Sequence, residues 1–215
     1  MAQLQFQPQR QRTAHNAERS RSDILQAAEL HFAEKGFYGA RIDEIAESAQ
    51  INKRMLYAYF GSKEGLYRQV LLDVYKRMET ADEELIARKL TGVELIRGII
   101  GMYFDFLHTH PTFVSILMWE NLDQARHLDM LPMNEVERPS LAFFAEEIRR
   151  GKEAGVFRAT LDERQVVVSL ITVCFANFSN RHTLSRLFAC DLTRDAMVEI
   201  RKQHTIDMML TYMTP

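Results

Sequence analysis

The sequence contains few of the residues that interrupt regular structure, with only 9 glycines and 5 prolines among its 215 residues. So few turn-forming residues favour helices over a fold of many short strands. Cysteine is equally scarce, because the chain has only Cys174 and Cys190. Two cysteines argue against a secreted disulfide framework, and we expect a reducing compartment, the cytoplasm. Cys174 lies within an apolar run and is predicted to be a small buried hydrophobic residue.

The sequence also lacks a large excess of either charge and a long apolar run. Its 27 basic and 29 acidic residues give a formal net charge of −2, so any nucleic-acid surface must be a local patch. The longest uncharged run, residues 165–180, is too short and too polar to span a membrane. Residues 1–17 are polar and predict a disordered basic arm rather than a secretory signal. This arm either contacts DNA phosphate or is a solvated tail.

Signatures of catalysis and of metal binding are missing as well. The sequence contains no dinucleotide-binding glycine motif, phosphate-binding loop, nucleophile elbow or zinc-protease motif. His108 and His110 are two residues apart, which is not the spacing of ligands on a helix. Cys174, His182 and Cys190 match no zinc pattern. We therefore expect no cofactor, no metal and no enzymatic activity.

Apolar residues recur at helical spacing along most of the chain, and the pattern predicts an all-α protein of about nine helices. Gly36 is predicted to end the first helix, which starts near residue 19, and Ser62 to cap the fourth. Thr91 with Glu94 and Thr160 with Glu163 have the spacing of capping boxes. Each pair is therefore predicted to begin a further helix.

Residues 36–67 predict a helix-turn-helix unit, in which two short helices, near 41–49 and 53–60, are joined by about three residues. Asn52 is the predicted N-cap of the second of these helices. From Gln50 to Lys63 the chain has three bases and no acid. Bases in the first turn of such a helix can reach base edges in the major groove, while tyrosines and further lysines hold phosphates. The segment is therefore a candidate DNA-reading element.

Residues 20–70 resemble the tetracycline-repressor (TetR) family of bacterial regulators. The resemblance is carried by the segments AAELHFAEKGF, IDEIAESA and LYAYFGSKEGLY, which occur in the family's order and at its separations. It implies a homodimeric repressor that is released from a DNA operator by a small molecule. It also implies an N-terminal three-helix DNA-binding domain, here residues 18–64, and a larger C-terminal helical bundle for ligand binding and dimerisation, here residues 65–215.

The resemblance assigns base reading to the start of the third helix and phosphate contact to residues around it. The predicted DNA-binding residues are Arg41, Asn52, Lys53, Arg54, Met55, Tyr57, Tyr59 and Lys63. Ala40 stands where the family most often has a threonine, and Arg41 is expected to take over its phosphate contact. Gln50 stands where glycine is usual. If Gln50 is left-handed, the side chain costs about 1 kcal/mol.

The C-terminal region is predicted to hold a ligand pocket between helices. From residue 66 onward, 18 bases and 21 acids disfavour a second nucleic-acid surface. The resemblance places the pocket among helices four to eight, with candidate lining residues Met78, Tyr103, Leu107, Met118, Trp119, Asn121, Phe144, Thr172 and Phe175. The last two helices either form the homodimer interface or close the core of the monomer.

Two other functions remain open at the level of sequence. The chain could be a helical small-molecule-binding protein or enzyme with no DNA readout, or an assembly module that uses its helix pair for protein contact. Neither has a reason to keep a stretch with bases and no acid from Gln50 to Lys63. The stretch therefore favours a DNA-binding transcriptional regulator.

Overall fold

A computed structural model describes the backbone of residues 8–132 and 138–215, and the side chains of residues 18–132 and 138–215. Over these ranges the chain forms ten α-helices and one short 3-10 helix, with no strand. The all-α prediction is confirmed, with one helix more than expected. Residues 1–7 of the predicted arm lie outside the described residues.

The α-helices are numbered in chain order. They are α1 (Pro8–Gly39), α2 (Ile42–Ser48), α3 (Lys53–Phe60), α4 (Lys63–Ala87), α5 (Gly92–Thr109), α6 (Pro111–Leu122), α7 (Pro139–Glu153), α8 (Glu163–Ser179), α9 (Arg181–Leu187) and α10 (Asp195–Met213). The 3-10 helix is Leu128–Met130. None of the described helices is both long and apolar enough to cross a membrane.

Helix α1 begins earlier than the sequence analysis predicted. It starts at Pro8, so residues 8–17, expected to be disordered, are helical. Proline is favourable in the first turn of a helix, and the glutamines and arginines that follow are good helix formers. The predicted stop at Gly36 is confirmed, since this residue has φ 67° and ψ 177° and interrupts the helix.

The two capping-box patterns predicted the starts of α5 and α8 correctly, but the predicted threonine caps were wrong. Thr91 does precede α5, but its side chain makes no capping hydrogen bond. The cap of α8 is Asp162, whose side chain accepts from the backbone N–H of Gln165 at 2.9 Å, in place of Thr160. An aspartate is the better cap because its negative charge also interacts favourably with the helix dipole.

The chain divides into two compact units that do not follow a single cut in the sequence. The first unit contains residues Met1–Asp73 and Trp119–Leu131, and the second contains Val74–Met118 and Pro132–Pro215. Helices α4 and α6 each supply residues to both units. The predicted division at residue 65 anticipated neither the boundary at residue 73 nor the separate segment Trp119–Leu131, here called the return segment.

The core of the first unit is formed by apolar side chains of α1 to α4. Ile24, Phe32, Ile45, Leu56 and Leu66 are all fully buried. Helix α1 packs against α2, and α2 against α3. The four helices thus share one small core, which fixes the position of α3.

The return segment is held to the rest of the first unit by an aromatic and a polar contact. The Trp119 indole lies against Gly36, where an added Cβ would be 2.8 Å from the ring, and its Nε1 donates to the Ala33 carbonyl at 3.2 Å. The buried Glu120 carboxylate accepts from the Tyr67 hydroxyl at 2.8 Å and lies 3.1 Å from Nδ1 of His127. Gly36 therefore has a second role, because a side chain there would displace the indole.

The second unit is organised around α5, which packs against α8 and α10. The apolar stripe of α10 that the sequence analysis considered for a dimer interface is buried within the chain. Its members are Ile206, Met209, Leu210 and Met213. The stripe thus closes the core of the monomer, which was the alternative left open. Cys174 on α8 is fully buried, as predicted, and burial raises the pKa of its thiol to about 12.

A buried polar cluster joins α4, α5 and the start of α7 in the second unit. The Asp82 carboxylate is fully buried and pairs through Oδ2 with the Arg138 guanidinium. The same oxygen accepts from the Ser140 hydroxyl at 2.7 Å, and Arg138 also donates to the Tyr103 hydroxyl at 2.8 Å. Burial raises the pKa of Tyr103, so this hydroxyl remains protonated. Tyr103, a candidate pocket residue, thus belongs to a structural network.

Candidate nucleic-acid interface and ligand cavity

The turn between α2 and α3 places Gln50 in the left-handed region, with φ 53°. The backbone N–H of Gln50 donates to Glu47 and that of Ile51 to Ala46, each at 3.0 Å. These two bonds form a Schellman motif, which satisfies the last carbonyls of α2 and turns the chain. The strain foreseen for a non-glycine residue at Gln50 is therefore present.

Helix α3 has the bounds that the sequence predicted, and Asn52 caps it. The Asn52 side chain accepts from the backbone N–H of Arg54 at 2.9 Å. Leu56 is fully buried and anchors the helix, whereas Lys53 and Arg54 are exposed. Met55 and Tyr57 also keep 39% and 42% of their surface exposed. Helix α3 thus presents two bases, a flexible apolar side chain and a phenol to solvent.

Lys53 has a partner on the neighbouring helix. Its ammonium lies 2.6 Å from Oδ1 of Asp43 on α2, and this hydrogen bond raises the pKa of Lys53. Both side chains are largely exposed, so the pair adds little stability and is screened by salt. A DNA phosphate can therefore compete with Asp43 for this lysine.

Helix α2 begins without a side-chain cap. Arg41 occupies the N-cap position with extended backbone and no capping hydrogen bond, and Ala40 is buried beside it. Arg41 itself is exposed at the start of α2, where it can reach a phosphate. The helix is held to α1 by Lys35, whose ammonium donates to Glu44 at 2.6 Å; this hydrogen bond raises the pKa of Lys35 and lowers that of Glu44.

Two of the predicted phosphate ligands are packed against aromatic rings. The Lys63 ammonium lies 4.8 Å from the centre of the Phe37 ring, and burial lowers the pKa of Lys63. Tyr59 is half-buried, with its ring centre 6.2 Å from that of Phe60. Ser62 caps α4 as predicted, accepting from the Gly65 N–H at 3.0 Å. The phosphate contacts of Lys63 and Tyr59 stay predictions.

The nine candidate pocket residues are divided between the two units of the chain, and their role as a pocket stays a prediction. Two of them, Trp119 and Asn121, lie in the first unit rather than the second. Of the remainder, the four that are buried in the core are Met78, Tyr103, Leu107 and Phe144, and the three that are exposed or half-buried are Met118, Thr172 and Phe175.

A cavity of about 350 Å³ lies among α5, α8, α9, α10 and the loop between the last two helices. Its apolar lining residues are Phe104, Phe178, Leu184, Phe188, Leu192 and Val198. Asn177, Cys190 and Arg201 supply its polar groups. None of the nine candidate residues lines it. Helix α9, absent from the predicted helices, forms one wall.

One sequence signal could have pointed to this cavity. Arg201 follows Val198 by three residues and precedes Thr205 by four, so it lies on the buried stripe of α10. A base on an otherwise apolar stripe is rare unless it has a partner.

The histidine pair that was weighed as a metal site has other contacts. Nε2 of His108 lies 3.1 Å from Oδ1 of Asp195, and the His110 ring stacks on Phe106 at 4.2 Å. Over residues 18–132 and 138–215 there is no group of three His, Cys, Asp or Glu side chains that could hold a metal ion.

Comparisons with known proteins match both parts of the chain. A family profile described as bacterial regulatory proteins of the tetR family matches residues 24–70, and one described as a tetracyclin repressor-like C-terminal domain matches residues 93–209. Among relatives, the HTH-type transcriptional repressor NicS of Pseudomonas putida is 34% identical over 83% of this chain and 85% of its own. The repressor SCO4008 of Streptomyces coelicolor is 29% identical over 74% of this chain and 79% of its own.

Solved structures share the fold along nearly the whole chain. The transcriptional regulator SCO4942 of Streptomyces coelicolor has a TM-score of 0.68 and 25% identity, with 90% of this chain and 98% of that chain covered. FadR of Bacillus subtilis, solved in complex with stearoyl-CoA, has a TM-score of 0.69 and 18% identity, with 89% and 98% covered.

Proposed function

Because the chain belongs to the TetR family of bacterial regulatory proteins, we propose that it binds a palindromic operator as a homodimer. It is a DNA-binding transcriptional regulator, and relatives such as NicS are named as repressors. In our proposal it represses transcription in the cytoplasm until a small molecule releases it from DNA. In the same proposal residues 18–64 contact DNA, and the second unit serves ligand binding and dimerisation.

The surface of α3 is the observation that carries this proposal. Leu56 anchors the helix in the core, and Asn52 fixes its first turn. The opposite side leaves Arg54 exposed beside Met55, and both reach solvent from the first turn of the helix. An arginine there can form a bidentate contact with guanine, and a methionine can pack on a thymine methyl group. A second copy of α3 about 34–36 Å away would read the second half of a palindrome.

Selection of bound sequences from a random duplex pool tests this proposal and identifies the operator. Arg54→Ala is expected to weaken binding to the selected site by about tenfold to a hundredfold, since one bidentate base contact contributes about 1–3 kcal/mol. Arg150→Ala, which removes an exposed arginine of α7, is the matched control and should bind like the wild type. Sequence-blind binding, or equal affinity of the Arg54 variant, would contradict the assignment.

Exposed apolar side chains on α8 and α10 support a homodimer. Val168, Ile200 and Tyr212 each keep more than half of their surface exposed, at 55%, 59% and 57%. Apolar groups of this size on paired helices are typical of an interface between subunits. Ile200→Glu is expected to yield monomers in light scattering, whereas Leu122→Glu, at an exposed apolar residue of α6, should remain dimeric. A dimeric Ile200→Glu variant would exclude this surface.

Release by a ligand requires coupling between the two units. Helix α4 runs from Lys63 to Ala87, and its residues belong to the first unit up to Asp73 and to the second from Val74. A ligand that favours one position of this helix changes the operator affinity by its differential affinity for the two states, typically about 1–3 kcal/mol. The complex of FadR with stearoyl-CoA supports a small-molecule effector for this fold.

A further inference from the structure

We propose that the cavity among α5, α8, α9 and α10 binds a small amphipathic carboxylate, with Arg201 as the partner of the carboxylate group. The binding claim stands on the geometry of the second unit alone. Its consequence, release from DNA, rests on the proposed function.

Among the described residues the Arg201 guanidinium makes one hydrogen bond, which leaves its other N–H donors for a ligand. Its Nε donates to Oδ1 of Asn177 at 2.9 Å, and the Asn177 amide nitrogen donates in turn to the Val173 carbonyl at 2.7 Å. Asn177 is thereby fixed by its own helix and orients the guanidinium plane. The Nη groups, which remain, have the fork geometry that matches a carboxylate.

No carboxylate of the described residues neutralises Arg201. The acids Asp105 and Glu199 pair with the next residue, Lys202, whose ammonium lies 2.8 Å from each carboxylate. Arginine cannot shed its proton in a protein, so a half-buried guanidinium beside apolar walls favours an anion. Lys202 is thus an internally paired base, and Arg201 is the base available to a ligand.

The walls indicate the rest of the ligand. Phe104 and Phe178 meet edge to face with ring centres 5.4 Å apart, and Val198 lies on the same cavity. These surfaces suit an alkyl chain or an aromatic ring rather than a sugar or a peptide. A volume of about 350 Å³ is at the small end of the roughly 300–1,000 Å³ typical of ligand pockets, which favours a compact acid.

Calorimetric titration of the full chain with octanoate, octanamide and octylammonium tests the proposal. These probes share a chain length and differ in the charge of the head group. Octanoate is expected to bind at least tenfold more tightly than the other two. Arg201→Gln should lower octanoate affinity by about tenfold to a hundredfold, the effect of losing hydrogen bonds to a charged group. Arg201→Lys should restore only part of it, because an ammonium lacks the planar fork.

Two further variants distinguish the loss of this binding site from the loss of any arginine and from misfolding. Arg88→Gln removes an exposed arginine of the second unit and should bind octanoate like the wild type. Leu192→Trp fills the cavity from its loop side and should abolish octanoate binding while leaving Arg201 intact. This variant keeps the proposal testable if the loss of Arg201 prevents folding, which the melting temperature of the unliganded variant reports.

Several outcomes would overturn the proposal. Equal binding of octanoate and octanamide would remove the role of the carboxylate. Unchanged octanoate affinity in Arg201→Gln would remove the role of the guanidinium. A weakened dimer together with unchanged octanoate affinity would instead assign Arg201 to a carboxylate of a second copy of the chain.

Operator release is measured separately from octanoate binding, so failure of the cavity assignment and failure of the proposed function can be told apart. Octanoate that binds through Arg201 without releasing the selected operator would leave the cavity assignment standing and contradict the effector mechanism. Absence of any operator would contradict the proposed function without affecting the calorimetric result.

Discussion

Replacing Arg138 by methionine should destabilise the second unit strongly, because it removes the cation that faces a buried carboxylate. Asp82 is fully buried, and its Oδ1 has no hydrogen-bond partner among the described residues. In Arg138→Met the carboxylate would keep the Ser140 hydroxyl on Oδ2 and lose the one cation that pairs with it among the described side chains. Tyr103 would lose a hydrogen-bonding partner in the same step.

The size of the effect follows from the burial of Asp82. Removing one partner of a buried ion pair costs about 3–5 kcal/mol, because the other charge is left uncompensated. Asp82→Asn is expected to cost less, about 1–3 kcal/mol, since Arg138 would still lie 3.6 Å from Glu79 and donate to Tyr103. The double variant should cost less than the sum of the single ones, because neither charge then remains buried alone.

Urea and thermal unfolding followed by circular dichroism measure these differences. For a chain of this size 1 kcal/mol corresponds to about 2–4 °C, so Arg138→Met should melt about 6–20 °C below the wild type. The substitution keeps a long side chain, which limits any cavity. A loss of stability below about 1 kcal/mol, or single effects that add within about 0.5 kcal/mol, would refute the reasoning.

Three further predictions concern the turn at α3, two glycines and the thiols. Gln50→Gly should raise stability by up to about 1 kcal/mol in urea unfolding, because glycine adopts the left-handed region without strain; an unchanged midpoint would contradict this. Gly65→Ala should destabilise the first unit and abolish operator binding, because the new Cβ would collide with the Phe60 carbonyl oxygen. Gly101→Ala, at a position within α5 where a Cβ meets no other atom, should be neutral or stabilising in the same assays. With a thiol reagent at pH 8 one thiol, that of Cys190, should react in the folded protein. Burial raises the pKa of the Cys174 thiol to about 12, so only about one Cys174 in ten thousand is ionised at this pH. Two rapidly reacting thiols would show that Cys174 is accessible.

The elements that the sequence predicted accurately are those whose signals are local. Gly36, Asn52 and Ser62 each end or cap a helix through contacts with residues a few positions away. The bounds of α3 and the left-handed turn before it follow from such contacts. Local patterns gave the wrong cap where two candidate residues lie close together, as Thr160 and Asp162 do before α8.

The features that the sequence could not predict depend on residues far apart along the chain. Tyr67 and Glu120 meet across 53 positions, and no spacing rule connects them. The cavity was missed for the same reason, because its walls come from Phe104 on α5 and from residues between Asn177 and Arg201, far along the chain. Its wall α9 has only seven residues, too few to show a helical period.

The return segment makes the first unit discontinuous in sequence. The Tyr67 hydroxyl contacts Glu120, and Gly36 contacts Trp119, in a segment that follows two helices with residues in the second unit. A chimaera that exchanged residues 1–73 alone between regulators would separate Gly36 from its Trp119 and Tyr67 from its Glu120. The transferable module is therefore residues 1–73 together with Trp119–Leu131, so recombination among such regulators must preserve both pieces of one folding unit.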